Sequence, residues 1–278
     1  DNNSYYLNIV VNLIRQSDGS SDRTIADVYE ALDLLQSFYE NHNIYFRLKC
    51  IKYIDDDELY NQSNQMAKVC VEGAPACTYP NFADLYDDEA LTIFVYPKGT
   101  PTVDGGGIGY ANGIPGTGLF VKGFWRSATF DSNGSLIYEV FTDYFKSSIL
   151  AHEVGHCLGL FHTFHGLCGE SGCVENPNPA TDPDNPCECG DYVADTPADP
   201  MIMDDSIDDL TCVITNLVGC FEVIPPGYNP LANNIMSYAG PFCENAFTEG
   251  QSYRMKDHIN NAPIVQNFVL PLSEVNTA

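Results

Sequence analysis

The stretch His152-Glu153-Val154-Gly155-His156-Cys157-Leu158-Gly159-Leu160-Phe161-His162 sets three imidazoles, a carboxylate and two glycines at spacings that suit one bound zinc ion. On a helix, His152 and His156 lie on the same face, one turn apart. Gly159 can adopt a left-handed conformation and end that helix, so the chain bends and returns His162 as a third ligand. Three protein nitrogens leave one tetrahedral position for water, the arrangement of a catalytic rather than a structural zinc. Glu153, next to the first ligand, is placed to act as general base on that water. A bare pair of histidines around a glutamate recurs by chance, and buried histidines are commonly plain core residues. The extension through Gly159 to His162 is far rarer and decides between the two.

A methionine-containing turn downstream completes the pattern of the metzincin clan, and Asn234-Ile235-Met236-Ser237-Tyr238 fits that role. The Met236 thioether would give the imidazoles a soft apolar floor. Tyr238 is in position to carry a phenol to the metal or to a developing oxyanion, although an ordinary half-buried tyrosine would look the same in sequence.

Four blocks run in the same order as in one family: HEVGHCLGLFHTF (152–164), GDYVADTP (190–197), NIMSYAGPFC (234–243) and FTEGQSYRM (247–255). On these residues the chain resembles the pappalysin family of metzincin peptidases, the cytophagalysin-like branch in particular. The first block is shared by all metzincins, while the second block and the Cys seven residues after Met236 narrow the likeness to the family. The N-terminal 140 residues carry no comparable signature. Cys157 departs from the family, which often has a bulky apolar residue there. The resemblance implies an α+β metzincin fold: a twisted five-stranded mixed sheet with two long helices and an α/β-like N-terminal subdomain. It also implies an irregular, disulfide-stapled C-terminal subdomain. The expected division is residues 1–159, with sheet, edge strand and active-site helix, and residues 160–278, with the third zinc ligand, loops, methionine turn and last helix.

Composition narrows the function classes. Twelve basic against thirty-eight acidic residues give a net charge of −26, which disfavours nucleic acid and anionic membranes as partners. A hydrophobic share of 44% and an aromatic share of 12% argue against a disordered acidic chain. No window approaches the roughly eighteen apolar residues of a membrane span. The chain opens Asp1-Asn2-Asn3 without a charged or apolar leader, so a secreted, mature form lacking its signal and pro-segment is expected, as a monomer. Asn2, Asn61 and Asn133 lie in N-x-S sequons.

Eleven cysteines in such a chain point to an oxidising compartment and to disulfides rather than metal knuckles. Proximity suggests Cys70–Cys77 and Cys168–Cys173. The family pattern implies Cys212–Cys243, and Cys220 with Cys187 or Cys189, of which Cys189–Cys220 is the pairing preferred here. The odd thiol left over is assigned to Cys157, on a helix buried on both sides.

Residues 5–15 alternate as a strand, 25–42 show helical spacing behind a Thr24 cap, and 44–52 and 91–96 read as further strands. This β-α-β start implies a parallel pair with a right-handed crossover. A helix is expected from about Thr142, with Thr142-Asp143 as its cap, to Leu158, and another from Thr248 to Ile259 behind a capping box. The glycine-dense segment 104–123 matches neither a dinucleotide fingerprint nor a phosphate loop. It reads as the edge strand above the cleft, able to bind an extended polypeptide as an added strand. Residues 165–232 are too long for an unsupported loop. Asp191, Asp195, Thr196 and Asp199, with the carbonyl of Gly190, supply oxygens for a structural calcium ion, which the resemblance also implies. His165 and His258 read as structural or surface residues.

Together these readings specify a secreted zinc metalloendopeptidase in which Glu153 assists a zinc-bound water. Two other classes compete: a non-catalytic binding module on a zinc scaffold, which the intact Glu153 disfavours, and a zinc amidase or deacetylase, which the peptide-accepting strand disfavours. The wall formed by Ser237–Phe242 is mostly apolar, so no requirement for a basic residue after the cut is expected.

Overall fold

The computed structural model describes residues 3–61, 85–98, 108–130, 136–167, 169, 171–178, 188–203, 206–215, 227–271 and 274. β1 (Tyr5–Arg15), β2 (Ile44–Asp55), β3 (Leu91–Val95), β4 (Gly109–Ala111) and β5 (Gly118–Val121) form one sheet in the order β2-β1-β3-β5-β4. The first three interfaces are parallel and β4 is antiparallel to β5, so the sheet is mixed, as the resemblance implies. β1 and β3 are central, and their near-continuous runs of Ile, Val, Leu and Phe match a sheet covered on both faces.

Helix α1 (Ile25–Tyr39) connects β1 to β2, and α2 (Asp57–Asn61) is a short turn after β2. Thr24 and Asp27 form a capping box at the start of α1. Val28, Ala31, Leu35 and Tyr39 face the core at helical spacing. The Tyr39 hydroxyl donates at 2.7 Å to the Ala151 carbonyl, tying α1 to the helix that carries the site.

That helix, α3, runs from Ser148 to Cys157 with Ser147 as its N-cap, rather than from Thr142. Thr142 and Asp143 instead end β7 (Leu136–Asp143), which pairs antiparallel with β6 (Phe124–Phe130). A 3-10 turn at Tyr144–Lys146, capped by the Asp143 carboxylate, leads into α3. Asp143 therefore caps a turn rather than the helix, and Thr142 is taken up in the strand pairing. Every residue of α3 is buried.

Between Leu160 and Thr248 the described residues are mostly irregular, with the small hairpin β8 (Ile207–Asp208) and β9 (Val213–Ile214). Helix α4 (Glu249–Asn261), behind a Thr248/Gln251 capping box, and the one-turn α5 (Pro263–Gln266) follow. Among the described residues no helix is long and apolar enough to cross a membrane.

Candidate active site

His156 Nε2 lies 3.1 Å from His152 Nε2 and 3.1 Å from His162 Nε2. Among the described residues this is the one place where three His, Cys or acidic ligand atoms fall within 4.8 Å of one another. The far side of each helical ring explains its orientation. His152 Nδ1 bonds the Ile235 carbonyl at 2.7 Å and His156 Nδ1 bonds the Leu160 carbonyl at 2.8 Å. A carbonyl only accepts, so each Nδ1 carries the hydrogen and each Nε2 turns a bare lone pair to the common centre. Burial, then the neighbouring His152 and His162, hold His156 well below the usual imidazole range, which keeps it neutral. Neutral imidazoles with converging lone pairs form a cation site. Tetrahedral zinc bonded at ~2.0–2.1 Å sets its nitrogens about 3.3–3.4 Å apart, close to the spacing found here.

The bend that brings in His162 depends on Gly159, at φ +94°. Gly159 N donates to the His156 carbonyl and Leu160 N to the Gly155 carbonyl, both at 2.9 Å, so the last helical carbonyls are satisfied. Two residues of α4 clamp this turn: His258, read from the sequence as structural or surface, and Arg254, to which sequence reasoning gives no role. Arg254 Nε donates to the Gly159 carbonyl at 2.7 Å. The His258 ring lies where a Cβ at Gly159 would come within 2.6 Å of it. Both contacts come from a helix nearly a hundred residues away, and no local signal announces them.

Glu153 is buried beside the three rings. Burial pushes its carboxyl up to about 8, against the pull of a hydrogen bond from the Ala111 N–H of β4. Met236 lies wholly buried under α3, and Ile235, the residue before it, supplies the carbonyl that holds His152. Tyr238 stands with its ring centroid 4.9 Å from that of His162 and 5.9 Å from that of His152. A cleft of about 420 Å³ lies over the histidines, walled by Gly109 and Ala111 of β4, by Tyr238, and by Phe161 and His165. His165 thus borders the cleft.

The acidic loop divides its carboxylates among separate tasks. Asp191 accepts from Thr196 Oγ1 at 2.9 Å and from Val193 N at 3.0 Å, beside Gly190 at φ +64°. Asp195 is exposed and caps α4, accepting from Thr248 Oγ1 at 2.7 Å and Gly250 N at 2.8 Å. Asp199 accepts from Thr163 Oγ1 at 2.6 Å, Ser237 Oγ at 3.1 Å and Ile202 N at 3.0 Å. It joins the residue after His162 to the residue after Met236. The expectation of one oxygen cluster from all four side chains is corrected accordingly: hydrogen-bond donors from α4 and from the two site turns engage Asp195 and Asp199. Glu175, which sequence reasoning passes over, is buried against Gly190, and its Oε2 has no hydrogen-bond partner among the described residues.

Among the described residues two disulfides are formed, Cys212–Cys243 and Cys173–Cys189. The second replaces the expected Cys168–Cys173 and Cys189–Cys220 pairs, because the chain folds back to bring Cys189 to Cys173 with their Cα atoms 5.0 Å apart. Cys168, Cys220, Cys70 and Cys77 lie outside the described residues. Cys157 is a buried free thiol, and Cys50 is a second free thiol among the described residues.

A sequence profile of the pregnancy-associated plasma protein-A family, peptidase family M43, matches residues 108–260, more than half of the chain. The chain belongs to this family. A second profile, metallopeptidase family M12B reprolysin-like, matches residues 25–163. An extracellular metalloprotease of Verticillium alfalfae is 30% identical over 65% of this chain and 43% of its own length. One from Neurospora crassa is 27% identical over 93% of this chain and 75% of its own. Human pappalysin-1 is 30% identical over 40% of this chain and 6% of its own. The chain thus spans less than half the length of the Verticillium relative and a small part of human pappalysin-1. Mature mirolysin of Tannerella forsythia, solved in complex with a cleaved peptide, superposes with a TM-score of 0.53 at 20% identity, covering 99% of this chain and 98% of that one. That likeness is one of fold, and with the M43 match it makes the chain a pappalysin-family metzincin.

Proposed function

We propose that this M43 chain is a secreted zinc-dependent endopeptidase acting on polypeptides held in extended form. The observation that carries the reading is the convergence of three histidine Nε2 atoms beside the buried Glu153 on the floor of an open cleft. The donor set fits zinc in type, number and spacing. Bound there, zinc supplies a Lewis acid that polarises a carbonyl and acidifies water. The chain's own side chains handle protons and position. Glu153 takes a proton from the attacking water as general base and delivers it to the leaving amine as general acid. Tyr238 donates a hydrogen bond to the developing oxyanion. The outer edge of β4 receives the substrate backbone as an added strand. Beyond Met236 the half-exposed Tyr238 and Phe242 favour an apolar residue after the cut. Secretion is supported by the relatives named extracellular and by the disulfides.

Digestion of casein with and without 1,10-phenanthroline tests this reading. Cleavage that stops with the chelator and returns with zinc is expected. Cleavage indifferent to the chelator contradicts it. Metal binding without cleavage would instead indicate a binding module, and turnover of small N-acyl amides alone would indicate an amidase.

We also infer a structural calcium ion in the acidic loop. The support is Glu175 Oε2, buried with no hydrogen-bond partner among the described residues, in a loop where the Asp191 and Asp199 carboxyls are also buried. Burial raises all three carboxyls, and Asp191 feels the charge of Glu175 as Glu175 feels that of Asp199. Glu175 and Asp191 would hold the ion with backbone carbonyls such as that of Gly190, supplying a charge that offsets theirs.

A further inference from the structure

Gly109 opens β4, and its Cα lies against the Glu153 side chain. A Cβ there would stand 2.4 Å from Glu153 Oε1, 2.7 Å from its Cγ and 2.9 Å from its Cδ. Two residues along, the Ala111 N–H donates to the same carboxyl. The strand register explains both contacts. Tyr110 pairs with Phe120, Asn112 N bonds the Gly118 carbonyl at 2.9 Å, and Lys122 N bonds the Ile108 carbonyl at 3.0 Å. Hydrogen-bonded residues alternate along an antiparallel pair, so the N–H groups of residues 109 and 111 turn away from β5. Residues two apart also share one face of a strand. Ala111 is buried while Tyr110, between residues 109 and 111, is 45% exposed, which puts 109 and 111 on the face toward α3.

We propose that Gly109 and Ala111 are positioning residues for the general base. The missing side chain at 109 leaves the space the Glu153 carboxyl fills, and the N–H of 111 fixes its direction. The strand that receives the substrate thereby also sets where the base stands. The proposal rests on the peptidase reading through the role of Glu153.

A methyl at position 109 must push the carboxyl away by about an ångström, and a misplacement of that size costs ~10²-fold in rate. Gly109→Ala is expected to lower kcat by ~10- to 100-fold, with KM nearly unchanged and the zinc content and melting temperature close to wild type. A crystal structure of G109A should show the Glu153 carboxyl displaced and its bond to Ala111 N–H lost. Glu153→Asp withdraws the carboxyl by one methylene and makes room for the methyl. Within an E153D background, G109A should therefore cost little, a non-additivity reserved for groups in contact.

Equal losses from G109A in both backgrounds, or a G109A kcat within twofold of wild type, would overturn the proposal. Should G109A alone fail to fold, a double variant that melts like E153D supports it, and a double variant equally unfolded overturns it. Full turnover by Glu153→Ala would instead sink the base assignment itself, so the two failures are distinguishable.

Discussion

Gly155 and Met236 meet so closely that no side chain fits between them: a Cβ at Gly155 would lie 2.6 Å from the Met236 Sδ. Gly155 sits on α3 between Glu153 and His156, so this contact sets how near the helix comes to the methionine turn. The turn is held in its own right. Asn234 Oδ1 accepts from Met236 N at 2.9 Å, and Asn234 exchanges two amide bonds with Gln251, the residue that completes the α4 capping box. A chain of contacts thus runs from the start of α4 through Met236 to the helix that carries His152 and His156.

Gly155→Ala is expected to overpack this contact. Inserting a methyl group into a filled core costs ~1–3 kcal/mol. Denaturant unfolding of the metal-free protein should show that loss, and chelator competition should show weaker zinc binding. The smaller Met236→Ala partner should recover part of it.

Glu153→Gln removes the carboxylate without removing a ligand. Zinc content should stay at wild-type level while kcat falls by ~10²–10⁴-fold, the contribution of a positioned acid–base group. Metal analysis and a fluorogenic peptide assay on the same sample check both halves.

Asp199→Ala leaves the Thr163 and Ser237 hydroxyls and the Ile202 N–H without their buried acceptor. A buried donor left unsatisfied costs ~1–3 kcal/mol. Partners behind the ligands typically matter ~10–100-fold in metal affinity. Both a lower melting temperature and weaker zinc retention are expected, and Asp199→Asn, which keeps an acceptor oxygen, should fall between Asp199→Ala and wild type.

Calcium removal should expose the strain of the acidic loop. Burial, with Asp199 nearby, raises the Glu175 carboxyl from 4.5 to about 7. A carboxyl raised on folding is protonated more readily in the folded state, so its contribution to stability declines as pH rises from 4.5 toward 7. With a calcium-selective chelator present, the melting temperature should therefore fall over that window. Millimolar calcium, or Glu175→Gln, should flatten the fall. A melting curve indifferent to calcium at every pH would contradict the ion site.

Much of the site is legible in the chain because its geometry is local. Spacing of four residues puts His152 and His156 on one face, and a left-handed Gly159 is what the bend to His162 requires. The edge strand is legible as glycine density, though not the reason for Gly109, whose neighbour is a side chain forty-four residues on. The same holds for Gly155, which answers to Met236. The start of α3 misleads because Thr142 and Asp143 are good caps in any setting, and only the β6 pairing shows that Thr142 belongs to a strand and Asp143 caps the turn after it. Disulfide partners and the duties of Asp195 and Asp199 depend on how an irregular loop folds back, which no period in the sequence encodes. A carboxylate in such a loop can ligate, cap or brace with equal ease.

The central claim is that His152, His156 and His162 hold one zinc ion between them. Zinc per chain, measured on purified wild type and on His162→Ala after dialysis against a weak chelator, tests it most directly. One equivalent in wild type and almost none in the variant is the predicted result. Undiminished zinc in His162→Ala, or none in the folded wild-type protein after zinc loading, would contradict it.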